Sequence, residues 1–332
     1  MTHHWPVYGH DWAVEHLQRG IFHARVRHAY LITGPLSVGK SALARAFAMA
    51  LQCQQADVGA RPCGECRACK LMRSGNHPDL IASQLDAATG ALKIEEVRAV
   101  TAKIALKPFE GRYRIAILSD FERAQPRAQD ALLKTLEEPP GNAVLLVLAS
   151  STDAILPTII SRCQSIGLTL LPANLIATLL VEHFNAEAGQ ASLLARLSGG
   201  RLGWAIQALQ DPARLEQRQG ALDLLDHVLA EKRVGRFALA EDLAKDKLAL
   251  APLLELWQTY WRDVLLLVEE TALPTINADR APQLQRLAQG MTPQAALTAL
   301  RATGETLAHL SRNVNMRLAL EVLFLDYPGL NS

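Results

Sequence analysis

Short apolar runs alternate with longer amphipathic stretches in the first half of the chain. The apolar runs at 29–33, 114–118 and 144–149 predict buried β-strands. Between them, apolar residues recur at helical spacing. The predicted helices lie at 12–24, 42–51, 94–105 and 126–136. Strands that alternate with helices in this way are typical of a parallel α/β sheet with helices on both faces.

The pattern changes near residue 171. Beyond it, apolar residues keep a helical period, as in Leu175, Ile176 and Leu179, and strand signals are few. The glycines within 197–203 and the Asp211-Pro212 step predict helix breaks. We therefore expect an α/β domain followed by two all-α domains. The predicted ranges are 1–170, 171–212 and 213–332.

Composition indicates a multidomain protein without a membrane span. A chain of 332 residues is long enough for two or three domains. Hydrophobic residues make up 49% of it, yet no apolar run approaches the length of a bilayer-crossing helix. The opening residues 1–6 lack the pattern of a signal peptide, so we expect a cytoplasmic protein. The net charge of +1 argues against a chain that grips nucleic acid by itself.

The first predicted strand runs directly into the pattern G-x-x-x-x-G-K-S at 34–41, and a predicted helix follows. In such a phosphate-binding loop, backbone N–H groups turn inward around a phosphate. Lys40 supplies a cation for the outer phosphates, and the Ser41 hydroxyl reaches Mg²⁺. We expect ATP or ADP with Mg²⁺ as the ligand. The candidate binding residues in the loop are Gly34, Pro35, Ser37, Val38, Gly39, Lys40 and Ser41.

Four of the five cysteines form the pattern Cys53-x9-Cys63-x2-Cys66-x2-Cys69. Paired C-x2-C steps in an intracellular protein favour a metal site, and four thiolates can enclose one Zn²⁺ tetrahedrally. A redox C-x-x-C is the alternative, although it does not need the outer two cysteines. With no open coordination position, the zinc is expected to hold the insertion at 53–69 together and to catalyse nothing.

A second functional motif is expected where the strand at 114–118 ends. Phosphate-loop ATPases place an Asp for Mg²⁺ near this point, commonly followed by an acid that activates water. Here Ser119 stands at the metal-binding position and Asp120 at the water-activating one. Because serine carries no charge, we expect nucleotide binding with poor hydrolysis. The plainer alternative is that Asp120 only ends the strand.

Two further segments complete a family pattern. They are A-L-L-K-T-L-E-E-P-P at 131–140 and I-S-R-C at 160–163. Together with the phosphate-binding loop, the cysteine module and the opening Val7-Tyr8-Gly9, they make the chain resemble bacterial clamp-loader subunits of the AAA+ class. The resemblance is strong over about the first two hundred residues. It implies an AAA+ α/β domain, a helical lid and a helical collar, with Val7 and Tyr8 as additional nucleotide contacts.

The resemblance also implies partners. Members of this family work with gamma/tau and delta subunits in a hetero-pentamer that opens a sliding clamp and places it on primed DNA during replication. The arginine of S-R-C, here Arg162, would act as a finger in trans on ATP held by a neighbouring subunit. In other phosphate-loop systems such fingers are worth about 10³- to 10⁵-fold in rate. Outside this context, a surface ion pair would be the expected role of such an arginine.

Departures from the gamma/tau pattern favour the delta-prime branch of the family. Ser119 replaces the metal-binding acid, and Gly203 stands where gamma-like chains carry an arginine three residues after the position of Gly200. A long C-terminal extension of the tau type is also missing. The intact phosphate-binding loop is the more gamma-like feature, so a motor ATPase that uses Asp120 is the alternative. A small-molecule phosphotransferase would not explain the cysteine module or L-E-E-P-P.

Overall fold

A computed structural model describes residues 5–87, 89–310 and 314–329, with only the backbone at 247 and 248. The chain divides into two compact units between Leu171 and Pro172. Residues 1–4, on which the expectation of no signal peptide partly rests, lie outside the described residues.

The first unit is built on a five-stranded sheet in which every neighbouring pair of strands is parallel. Its order across the sheet is β2-β3-β4-β1-β5. The strands are β1 (Ala29–Thr33), β2 (Leu80–Ala82), β3 (Arg114–Leu118), β4 (Ala143–Ala149) and β5 (Gln164–Gly167). The prediction of a parallel α/β sheet is confirmed. The two short edge strands, β2 and β5, were not predicted.

Helices cover both faces of this sheet, which explains why its central strands are apolar at nearly every position. The helices of this unit are α1 (Asp11–Phe22), α2 (Lys40–Gln52), α3 (Arg67–Ser74), α4 (Ile94–Ile104), α5 (Pro126–Glu137) and α6 (Pro157–Ile160). Along β3, Ile115 and Ile117 pack with α1 and α2 on one face, while Ala116 and Leu118 pack with α4 and α5 on the other.

The second unit is all-α over its described residues. Its helices are α7 (Ala173–Phe184), α8 (Ala188–Leu197), α9 (Leu202–Gln210), α10 (Ala213–Ala230), α11 (Arg233–Leu243), α12 (Lys247–Val268), α13 (Ala281–Gln289), α14 (Pro293–His309) and α15 (Met316–Asp326). The predicted helix breaks at 197–203 and 211–212 are confirmed. The further separation of a lid from a collar at 212/213 stays a prediction. None of the described helices has the length and apolar character that crossing a bilayer requires.

An aromatic core and one buried arginine organise the longer helices of this unit. Trp257, Trp261, Phe324 and Tyr327 are almost fully buried in a single cluster. Beside them, the guanidinium of Arg236 is fully buried and donates hydrogen bonds to five backbone carbonyls. These carbonyls belong to Leu229, Glu231, Phe324, Tyr327 and Pro328, at the ends of α10 and α15. The cation therefore satisfies carbonyls that the ends of two helices leave without intrahelical partners.

Candidate nucleotide-binding and metal sites

The predicted nucleotide-site segments meet at one edge of the sheet. The loop at 34–41 follows β1, the segment 119–122 follows β3, and Ser150 follows β4. These strands are neighbours in the order β3-β4-β1 and run parallel, so their carboxyl ends share an edge. Ligands of open parallel sheets bind at this kind of edge.

The backbone of the loop needs glycine at its start. Gly34 donates its N–H to the Ala149 carbonyl at 3.2 Å and has a φ of +147°. A Cβ at Gly34 would lie 2.5 Å from the Leu168 carbonyl oxygen, so any side chain would collide with backbone. Gly39 has a φ of +121° and precedes α2, which begins without a side-chain cap. The first N–H groups of α2 therefore suit an anion.

Lys40 lies along the inside of this loop. Its Nζ donates to the carbonyls of Gly34 at 2.6 Å and Pro35 at 3.0 Å. Lys40 is also the first residue of α2, and at this helix N-terminus both the helix dipole and the backbone donors favour negative charge. These residues fit a nucleotide polyphosphate. Lys40 and the N–H groups at the start of α2 would hold the phosphates, and the Ser41 hydroxyl would face the metal ion.

The segment that opens the described chain supports the loop. His10 is buried, and its Nε2 lies 3.1 Å from the Val38 carbonyl oxygen. Burial lowers the pKa of His10 below its usual value, so the ring is neutral near pH 7 and donates from Nε2. Val7 is buried in the same core as Val38, and Tyr8 is half-buried. The sequence pattern did not identify His10, although this residue directly follows the Val7-Tyr8-Gly9 segment.

Beyond β3, the structure adds an acid that the sequence did not single out. Asp120 has a left-handed backbone with a φ of +49° and precedes a short turn that contains Glu122. Glu122 Oε1 accepts a hydrogen bond from the Ser150 hydroxyl at 2.7 Å, which joins the ends of β3 and β4. Its buried Oε2 has no hydrogen-bond partner among the described residues. The backbone N–H of Ser119 donates to the Ser83 hydroxyl at 3.1 Å.

The four cysteines of the predicted metal site lie together. The sulfur atoms of Cys53, Cys63, Cys66 and Cys69 are all within 4.8 Å of one another, and the Cys63 and Cys69 sulfurs are 4.0 Å apart. Tetrahedral zinc with Zn–S bonds of about 2.3 Å needs sulfurs about 3.8 Å apart. The arrangement therefore fits one such ion with little movement. It brings together all four residues and not only one C-x-x-C pair, as the zinc prediction requires.

Thiol chemistry within the cluster also suits a cation. The backbone N–H of Cys66 points at the Cys63 sulfur at 3.3 Å and lowers the pKa of that thiol to about 6. Burial raises the pKa of the Cys53 and Cys69 thiols, because a buried thiolate without a counter-charge is costly. A shared metal ion would remove this cost and allow all four sulfurs to bind as thiolates.

Arg162 lies between α6 and β5, and its side chain is 37% exposed. Its Nη2 is 2.8 Å from Glu137 Oε1, and its Nη1 donates to the Thr158 carbonyl at 2.9 Å. The S-R-C and L-E-E-P-P segments thus meet through one ion pair. Within the described chain, no hydrogen bond or ion pair joins Arg162 to the loop at 34–41. The residue is thus placed at the surface and outside the chain's own phosphate-binding loop.

Comparisons with known proteins agree with this architecture. A family model described as "DNA polymerase III, delta subunit" matches residues 9–172, which is almost the whole of the first unit. The chain is 32% identical over 238 residues to DNA polymerase III subunit delta' of Pseudomonas aeruginosa, covering 71% of this chain and 67% of that protein. The chain belongs to the DNA polymerase III clamp-loader family.

Two other relatives show how far the similarity extends. DNA polymerase III subunit delta' of Bacillus subtilis is 28% identical over 305 residues, which cover 91% of each chain. DNA polymerase III subunit tau/gamma of Haemophilus influenzae is 31% identical over 67% of this chain. That alignment covers only 33% of the tau/gamma protein, so the chain spans about a third of the length of that relative. The AAA+ fold expected from the sequence agrees with the five-stranded parallel sheet and with membership of this family.

Proposed function

We propose that this chain is a delta-prime-type subunit of a cytoplasmic DNA polymerase III clamp loader. It assembles with gamma/tau and delta subunits into a hetero-pentamer that loads a sliding clamp onto primed DNA. Its own ATP hydrolysis is weak or absent. Its contribution to the reaction is Arg162, which acts on ATP bound by a neighbouring subunit.

The surface position of Arg162 carries this proposal. The guanidinium is partly exposed, and Arg162 precedes β5, which runs parallel to β1, whereas the phosphate-binding loop follows the carboxyl end of β1. An arginine in this place is available to a ligand on another subunit. Its planar donors can span two oxygens of a phosphate, which favours the charge that builds up during phosphoryl transfer. Similarity to a delta' protein over 305 residues, which must include much of the helical unit, supports the same branch of the family.

Two cofactors belong to this proposal. The loop at 34–41 holds ATP or ADP with Mg²⁺, whose phosphates the loop would neutralise. Without a carboxylate at position 119, that metal ion has weak support from β3. The cysteine cluster holds one structural Zn²⁺.

The alternative is a gamma/tau-type motor that hydrolyses ATP itself. A specific observation favours it: Asp120 and Glu122 both lie near the carboxyl edge of β3, and one oxygen of Glu122 has no partner in the described structure. Two acids at this edge could orient a metal-bound water. Turnover by the purified chain alone separates the two functions, because only a motor subunit turns over ATP without partners.

Replacing Arg162 tests the proposed function in the reconstituted loader. We expect Arg162→Ala to leave folding and assembly intact and to lower clamp-dependent ATP turnover by about 10³-fold at the dependent site. Arg162→Lys should restore little, because an ammonium lacks the planar fork. Arg45→Ala, which removes an exposed arginine of α2, is the matched control. Parental turnover by the Arg162→Ala loader would show that the finger assignment is wrong.

A further inference from the structure

The segment L-E-E-P-P at 136–140 has no role in the function proposed so far. Glu137 is the last residue of α5, and Glu138 follows it directly. Negative charge at a helix C-terminus opposes the helix dipole, so two acids at this place do not stabilise α5. Another interaction is therefore needed to account for these two acids. For Glu137, the structure supplies one in the Arg162 guanidinium, 2.8 Å from its carboxylate.

Two acceptors on different elements fix the orientation of Arg162. Nη2 is bound by Glu137 at the end of α5, while Nη1 is bound by the Thr158 carbonyl in α6. Since the guanidinium is planar, two bonds to two different nitrogens define its plane and its direction. Nη1 also lies 3.5 Å from the Ser161 hydroxyl oxygen, while the Nε–H and the second N–H of Nη2 have no acceptor among the described residues. The side chain is 37% exposed.

We propose that Glu137 is a positioning residue that holds Arg162 in the orientation it needs to reach a phosphate on the neighbouring subunit. This inference rests on the proposed function. Glu137 does not touch the nucleotide and acts only through Arg162. Because both partners of the pair are substantially exposed, the pair adds little to folding stability. Its loss should therefore appear in the rate of the neighbouring site and not in the stability of the chain.

Steady-state ATP turnover of the reconstituted loader tests the inference. We expect Glu137→Ala to lower kcat by about 10-fold with an unchanged KM for ATP, as for a misplaced catalytic group. Glu137→Gln, which keeps one neutral acceptor, should lose less. Glu138→Gln is the matched control, because it removes the adjacent exposed carboxylate at the end of the same helix. In an Arg162→Ala background, Glu137→Ala should cause no further loss.

A second measurement on the isolated chain follows Arg162 directly. In ¹⁵N spectra of the arginine side chains, rotation about the Nε–Cζ bond of Arg162 should be slow in the parent and fast in Glu137→Ala, which removes the acceptor altogether. Equal rotation rates would overturn the inference without reference to assembly or activity.

The outcomes separate the two proposals. If Arg162→Ala impairs turnover while Glu137→Ala is parental, the positioning role is wrong and the finger stands. If Glu137→Ala lowers turnover equally with and without Arg162, it acts by another route and the inference is wrong. If Arg162→Ala is itself parental, the proposed function has failed.

Discussion

Lys40 and Ser119 would have opposite effects on the proposed nucleotide at the edge of the sheet. The lysine ammonium is held within the phosphate-binding loop, whereas the serine brings no charge to the end of β3. The first favours binding of phosphates, and the second withholds support from the metal ion. Binding and turnover should therefore be separable in this chain.

We predict that the isolated chain binds Mg-ATP and turns it over negligibly. Lys40→Ala should weaken binding by about 10- to 100-fold, because it removes a charged hydrogen-bond donor worth about 1.5–3 kcal/mol. Isothermal titration calorimetry measures the affinity, and phosphate release measures turnover. Lys70→Ala, an exposed lysine of α3, is the control and should bind as the parent does. Rapid turnover without partners would contradict the prediction and favour the motor alternative.

The sequence singles out residues where a fixed spacing carries the chemistry. This holds for the four cysteines, which the structure brings together, and for the loop from Gly34 to Ser41, whose role in nucleotide binding stays a prediction. His10 and Glu122 were not found, because their partners Val38 and Ser150 are 28 residues away in each case. The pairing of Glu137 with Arg162 is likewise created only when the ends of α5 and α6 meet.

Among the elements, the cysteine module joins the ends of two helices. Cys53 directly follows α2, and Cys66 is the N-cap of α3, where its sulfur accepts from the Cys69 N–H. Zinc bound by these residues would tie α3 and the preceding loop to the end of α2. Closing comparable sites in small zinc peptides yields apparent free energies of about 10–16 kcal/mol.

We predict one zinc ion per chain and its loss in Cys66→Ser. Serine is itself a good N-cap, so this substitution removes a metal ligand while it preserves the start of α3. Elemental analysis measures the metal, and hydrogen exchange should show faster exchange at 53–74 with the sheet unchanged. Cys163→Ser, outside the cluster, is the control and should keep its zinc. Zinc-free protein from a preparation without chelators would rule the site out.

Strands inside the sheet were predicted from the sequence more accurately than strands at its edges. The strands β1, β3 and β4 lie inside the sheet and carry nearly unbroken apolar runs, so the sequence revealed them within one residue of their bounds. The edge strands β2 and β5 are three and four residues long, and β5 includes the polar Gln164 and Ser165. Such short, partly polar segments become strands through pairing with a neighbour, which no local pattern shows.

At the scale of the whole molecule, each unit has its own core and a fully buried charged group that binds several backbone groups. In the first, the fully buried Asp79 accepts hydrogen bonds from the N–H groups of Phe109, Glu110 and Gly111 at 2.6, 3.0 and 2.7 Å. Burial acts to raise the pKa of Asp79, but these donors outweigh it and lower the pKa below its usual value. In the second unit, Arg236 has the corresponding role with its five carbonyls.

We predict that these two groups control the stability of different parts of the chain. Arg236→Met should destabilise the helical unit by at least about 3 kcal/mol, since several buried carbonyls lose their donor together. Asp79→Asn should destabilise the sheet unit by about 2–3 kcal/mol, because a neutral amide accepts more weakly and leaves Arg114 without its carboxylate at 3.0 Å.

Native-state hydrogen exchange measures both effects, segment by segment. Arg236→Met should speed exchange in α10 to α15 and leave β1, β3 and β4 protected, while Asp79→Asn should do the reverse. Equal loss of protection in both units from either substitution would show that the chain unfolds as one cooperative body.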